Sequence, residues 1–179
     1  MKERLIIISD LWGKEKAEWL TNYTRILETK FEVVFYDSCE IGKVDKYDYK
    51  QDYLHRQFVN GGIDLAVENL IEKEKSPIDI LGFSVGGVIA LKFGLRTDNV
   101  KSLTSVSSTR LRKETKRPKG EIELYFGEND EHKPTTEWME NMQLEFQVLP
   151  NKGHKVYSEI EFAKNLSNKI LKTTSQHCI

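Results

Sequence analysis

The stretch Ile78-Asp79-Ile80-Leu81-Gly82-Phe83-Ser84-Val85-Gly86-Gly87-Val88-Ile89-Ala90-Leu91-Lys92-Phe93 decides how this chain is read. Its opening, preceded by Ser76-Pro77, is a short apolar run of the kind buried inside a sheet. Its end is apolar enough for a helix largely covered by protein. Between them, Gly82-Phe83-Ser84-Val85-Gly86 spells G-x-S-x-G. In that setting the motif predicts a sharp turn that strains the serine backbone and lifts its hydroxyl clear of the sheet. Small residues at 82, 86 and 87 let strand, turn and helix crowd together where a Cβ would clash. The first helical N–H groups then point into the space beside Ser84, where their positive dipole favours negative charge. Ser84 is the candidate nucleophile.

Working outward, apolar runs at 5–8, 31–36, 100–106, 122–126 and 144–149 read as five further strands. Residues 14–30 read as one helix, with Trp19, Leu20, Tyr23, Ile26 and Leu27 on a single stripe. After a polar loop, 49–73 reads as a long helix that Asn60-Gly61-Gly62 breaks in two. A short helix at 135–142 and a closing one at 157–171 complete the order. Strand and helix alternate almost throughout, which predicts a single α/β domain over 1–179: a doubly wound, mostly parallel six-stranded sheet with helices on both faces. Its crevice belongs at the carboxyl ends of the strands.

The bulk numbers exclude several classes. A chain of 179 residues with 39% hydrophobic and 31% charged residues suits one soluble domain with one sizeable core. No apolar run reaches membrane-spanning length, and the run at 5–8 is too short for the core of a signal peptide. A net charge of −1 gives no reason to expect nucleic acid as a partner. Two cysteines, Cys39 and Cys178, outside any C-x-x-C pair, fit a cytoplasmic protein with free thiols. Oligomeric state stays open.

A serine hydroxyl needs a base within hydrogen-bond reach, itself oriented by a third group. After such a turn the partners follow in the order acid, then histidine, from loops at strand ends. The loop Gly127-Glu128-Asn129-Asp130-Glu131-His132-Lys133-Pro134 follows the fifth strand, and Asn151-Lys152-Gly153-His154 follows the sixth. The assignment is Ser84, Asp130 and His154. Glu128 is the nearest substitute for the acid. The fourth strand ends in Ser107, Ser108 and Thr109, which removes the other common address for a carboxylate. His55 precedes the serine turn, His132 adjoins the acid and His177 sits in the tail, so none matches His154. The contiguous Glu128, Asp130, Glu131 and His132 read as a solvated loop rather than a metal cluster.

These features together, from opening strand to Gly153-His154 before the last helix, resemble the α/β-hydrolase superfamily over nearly the whole length. The resemblance implies a Ser-His-Asp mechanism through an acyl-enzyme. No cofactor and no metal are expected. Members usually begin with two more strands, absent here, and often insert a helical lid after the strand corresponding to 100–106. With so short a connection to the next strand, the chain looks like a minimal, capless member. One oxyanion donor is expected at the Val85 N–H; by resemblance the second comes from Ser9-Asp10-Leu11-Trp12-Gly13, at Leu11. Ser9-Asp10 departs from the family's frequent His-Gly there, and a carboxylate beside an oxyanion is unfavourable unless Asp10 points away. Trp12, Phe83 and Asp10 are candidate pocket residues. The basic run Arg110, Arg112, Lys113, Lys116, Arg117, Lys119 reads first as a solvated loop. Its alternative is steering of an anionic acyl carrier, coenzyme A or a carrier protein, at Arg110 and Arg112. The expected activity is cleavage of an ester or thioester of a small to medium acyl group. Acyl transfer shares the same intermediate, and a binding protein that kept only the fold is the reading outside catalysis.

Overall fold

Leu5-Ile6-Ile7-Ile8 has no polar face to offer water, so the strand that carries it must be covered on both sides. In the computed structural model, which describes residues 2–176, it is. Strands β1 (Glu3–Ile8), β2 (Phe31–Tyr36), β3 (Ile78–Phe83), β4 (Val100–Val106), β5 (Glu121–Gly127) and β6 (Glu145–Leu149) form one sheet. Their order is β2-β1-β3-β4-β5-β6 and every neighbouring pair is parallel.

The helices are α1 (Thr21–Leu27), α2 (Ser38–Ile41), α3 (Gln51–Gln57), α4 (Ile63–Lys73), α5 (Val85–Thr97), α6 (Thr136–Asn141) and α7 (Ile160–Gln176). Alternation along the strands divides the core in two. Ile6, Ile8, Ile80, Leu103 and Leu124 pack under α3, α4, α5 and α6 through Leu54, Val67, Ile89 and Met139. Leu5, Ile7, Leu81, Phe83, Val106 and Tyr125 pack on the other face, under Tyr23 and Leu27 of α1 and Ala163 and Leu166 of α7. The sheet is wound on both faces, as the alternating pattern requires. No lid interrupts it: residues 107–120, between β4 and β5, hold a single 3-10 turn, Thr109–Lys113.

Three elements differ from the sequence expectation. The helix expected over 14–30 splits into 3-10 turns at Gly13–Lys16 and Glu18–Leu20, followed by the short α1. Ala17 leaves helical geometry at φ −107°, ψ 28°. Trp19 then lies edge-on against Phe83 and Tyr157, with ring centroids 4.7 and 4.9 Å apart. Packing of one indole thus overrides a good helical period. The polar loop after β2 contains α2, capped by Asp37, whose Oδ1 accepts from the Cys39 and Glu40 N–H groups. The last helix begins only at Ile160, because His154–Ser158 forms a 3-10 turn. His177 and Cys178 lie outside the described residues.

The break between α3 and α4 falls where Asn60-Gly61-Gly62 predicts it, as a widened turn over Phe58–Gly62 with Gly61 at φ +121°. A Cβ at Gly61 would meet nothing within 4 Å, so only backbone strain opposes a side chain there. Gly61→Ala should therefore lower stability by about 1–2 kcal/mol, read as a shift in the urea midpoint with an unchanged slope.

Candidate active site

The strand order reverses direction at β1 and β3, so the loops leaving these two neighbours lie side by side at the carboxyl end of the sheet. β3 runs directly into Ser84, which sits at φ 50°, ψ −116° before α5 begins. That conformation costs of order 1–3 kcal/mol. It is held by the Ser84 N–H donating to Val106 O at 2.8 Å and by Gly87 N–H donating to Ser84 O at 3.2 Å. Gly86 is pressed on the end of β1: a Cβ there would lie 2.4 Å from Ile8 O and 2.5 Å from Ser9 O.

Two loops bring the remaining partners to Ser84. His154 Nδ1 is 2.7 Å from Asp130 Oδ2, and its Nε2 is 3.2 Å from Ser84 Oγ. The loops are laced together before they reach the serine. Glu128 N–H donates to Leu149 O at 2.9 Å, Asn129 N–H to Lys152 O at 2.8 Å, and Asn151 N–H to Glu128 Oε2 at 2.9 Å. The candidate acids thereby separate. Glu128 is exposed and spends its carboxylate on the neighbouring backbone, whereas Asp130 is buried against the imidazole. A ring donating from Nδ1 to Asp130 turns the Nε2 lone pair toward Ser84 Oγ. The arrangement can accept the hydroxyl proton. His132 is exposed, its backbone N–H 3.4 Å from Asp130 Oδ1.

The loop after β1 is fixed almost atom by atom. Ser9 Oγ and Ser38 Oγ both donate to Asp10 O, Cys39 Sγ donates to Leu11 O at 3.2 Å, and Tyr49 OH donates to Trp12 O. Burial pushes the Cys39 thiol up to about 12, which keeps it a protonated donor. Asp10 points into the protein: Oδ1 accepts from Trp12 N–H at 3.0 Å and Oδ2 from Tyr157 OH at 2.9 Å. Burial raises its carboxyl above the ordinary carboxylate range, although both hydrogen bonds and the nearby His154 pull it down. Among the described residues, neither the Leu11 nor the Val85 N–H donates to a protein acceptor.

Both residues border a pocket of about 50 Å³ that Ser84 also lines. Leu11, Phe58, Val59 and Ile63 make its apolar wall; His55, Thr109 and Arg110 add polar groups. The three side chains expected there from the sequence lie elsewhere. Phe83 is fully buried against Trp19, Tyr23 and Tyr157, because odd positions of β3 face α1 and α7. Trp12 packs edge-on to Tyr49 at 5.4 Å, beneath the ammonium of Lys16. Asp10 is taken up by the loop. Missed in their place was the turn after α3, whose Asn60-Gly61-Gly62 signal marked a bend but not what the bend enclosed. A larger groove of about 720 Å³ crosses the amino ends of β3 to β6, at the opposite end of the sheet from Ser84.

No protein-family model and no curated protein matches the sequence. Solved structures do match. A proposed hydrolase of the α/β superfamily from Xanthomonas campestris pv. campestris superposes with a TM-score of 0.68 at 16% identity, covering 96% of this chain and 99% of that one. Est1E from Butyrivibrio proteoclasticus, solved with ferulic acid bound, gives 0.66 at 14% identity, covering 96% and 89%. The chain has the α/β-hydrolase fold. Mouse alpha/beta hydrolase domain-containing protein 10 agrees, at TM-score 0.68 and 12% identity over 98% and 92% of the two chains. At such identities the likeness speaks for the α/β-hydrolase architecture alone, and the chemistry rests on the residues described above.

Two variants probe how this α/β-hydrolase scaffold supports its crevice. Gly86→Ala places a methyl against backbone oxygens that cannot swing aside, and should cost at least about 1–3 kcal/mol in urea unfolding. Asp10→Ala strands the buried Tyr157 hydroxyl and the Trp12 N–H, and should cost about 1–3 kcal/mol in the same measurement.

Proposed function

We propose that the protein is a serine hydrolase that cleaves a carboxylic ester or thioester of a small acyl group through an acyl-enzyme on Ser84. The observation that carries this reading is the unbroken chain from Ser84 Oγ to His154 to Asp130, at 3.2 and 2.7 Å, on a strained turn beside a pocket.

The steps follow from those positions. Ser84 Oγ attacks the substrate carbonyl while His154 Nε2 takes its proton, and Asp130 stabilises the imidazolium and holds the tautomer. The carbonyl oxygen gains charge where the Val85 and Leu11 N–H groups stand free to donate, each worth about 3–4 kcal/mol in the transition state. The imidazolium returns the proton to the departing alcohol or thiol. Water then enters by the same route in reverse and frees the acid. Tying Asp10 to Tyr157 and Trp12 keeps its charge from opposing the oxyanion. The small pocket favours short acyl groups.

A fluorophosphonate should label the wild-type protein at Ser84 and leave Ser84→Ala unlabelled, read by intact mass. His154→Ala should lower kcat on p-nitrophenyl acetate by about 10⁴-fold or more, and Asp130→Asn by about 10⁴-fold. Glu128→Gln should stay within tenfold of wild type. Equal labelling of Ser84→Ala, or full turnover by His154→Ala, defeats the reading and leaves a binding protein on this fold.

A further inference from the structure

The basic run after β4 is not uniform. Arg112 donates to Thr109 O and His132 O, Arg117 to Gln143 O, and Lys119 Nζ to Asp98 Oδ2. Lys113 and Lys116 are exposed. Arg110 alone in this run is half-buried and, among the described residues, has neither a hydrogen-bond nor an ion-pair partner. It also lines the pocket that holds Ser84.

A guanidinium carries five N–H donors and no acceptor, and the donors of Arg110 are not taken up by any protein group among the described residues. The pocket walls supply no carboxylate to answer that charge. The planar fork fits two oxygens of one carboxylate or phosphate at once, which an ammonium cannot match. His55, exposed on the same pocket, is a second donor within the same enclosure. Ser84, His55 and Arg110 line one small pocket of about 50 Å³, so an anion held by Arg110 and the carbonyl that meets Ser84 can belong to one bound molecule.

We propose that Arg110 binds an anionic oxygen group, carboxylate or phosphate, carried by the substrate that acylates Ser84. This rests on the serine-hydrolase reading and narrows it to anionic esters or thioesters. The anion has two possible sources: a carboxylate at the far end of the acyl chain, or the phosphates of the leaving group. In either position the guanidinium acts as a specificity determinant, pairing with charge that a neutral analogue lacks.

Two matched substrate pairs test it. The first is mono-p-nitrophenyl succinate against its methyl ester, which differ in the acyl carboxylate. The second is acetyl-coenzyme A against S-acetyl-N-acetylcysteamine, which differ in the leaving-group phosphates. Wild type should favour the anionic member of one pair by about 10- to 100-fold in kcat/KM, and the pair that responds identifies the source. Arg110→Met should bring that ratio to about one, and Arg110→Lys should restore only part of it. Arg112→Met, whose guanidinium is already bound to carbonyls, should keep the wild-type ratio. No preference in either pair, a preference that survives Arg110→Met, or labelling of Ser84 by a fluorophosphonate without hydrolysis of either pair overturns the proposal. Loss of labelling at Ser84 is the separate result that removes the hydrolase reading itself.

Discussion

Everything in the crevice depends on how closely the β3–α5 turn can approach the end of β1. A serine at φ 50° is unfavourable in isolation, and the turn persists because the surrounding backbone leaves it no other course. Ser84 is pinned to Val106 O on one side, and Gly86 sits against Ile8 O and Ser9 O on the other. That contact makes the loop after β1 a neighbour of the serine, so Leu11 and Val85, from distant segments, border one small pocket. A single methyl at position 86 would part them.

Hydrogen bonds between loops do the rest. The acid loop and the histidine loop meet each other through backbone and Glu128 before either meets Ser84, so Asp130 and His154 arrive as a unit. Tyr157, three residues beyond His154, reaches across to Asp10, and through it the histidine loop is joined to the loop that carries Leu11. The histidine loop thus braces the other two. A buried polar network of this kind is rigid when fully paired and costly when one member is removed.

How much of this could be read from the chain alone follows from the range of the forces involved. The strands were legible because continuous apolar runs admit few other placements, and their observed bounds differ from the expected ones by at most two residues at an end. Ser84 was legible as a local motif, and Asp130 and His154 because loops at successive strand ends have fixed addresses. Residues 14–30 were misread because the stripe of Trp19, Tyr23 and Leu27 reports burial, which two 3-10 turns and a short helix satisfy as well as one long helix. Phe83 was misplaced because it adjoins the serine in sequence while the pleat sends it to the opposite face. The destination of Asp10 was illegible for a simpler reason: its partner Tyr157 lies 147 positions away.

The uninterrupted run of chain between β4 and β5 has a chemical consequence. Ser84 is only half-buried, and among the described residues no lid folds down over it. Solvent therefore has standing access to whatever is attached to that oxygen. In the acyl-enzyme proposed above, an ester on Ser84 would compete with the bulk liquid from the moment it forms, and any other acceptor would have to be bound and waiting beforehand to intercept it. On that proposal, an uncovered crevice of this shape would suit the release of free acids more than the handing on of acyl groups.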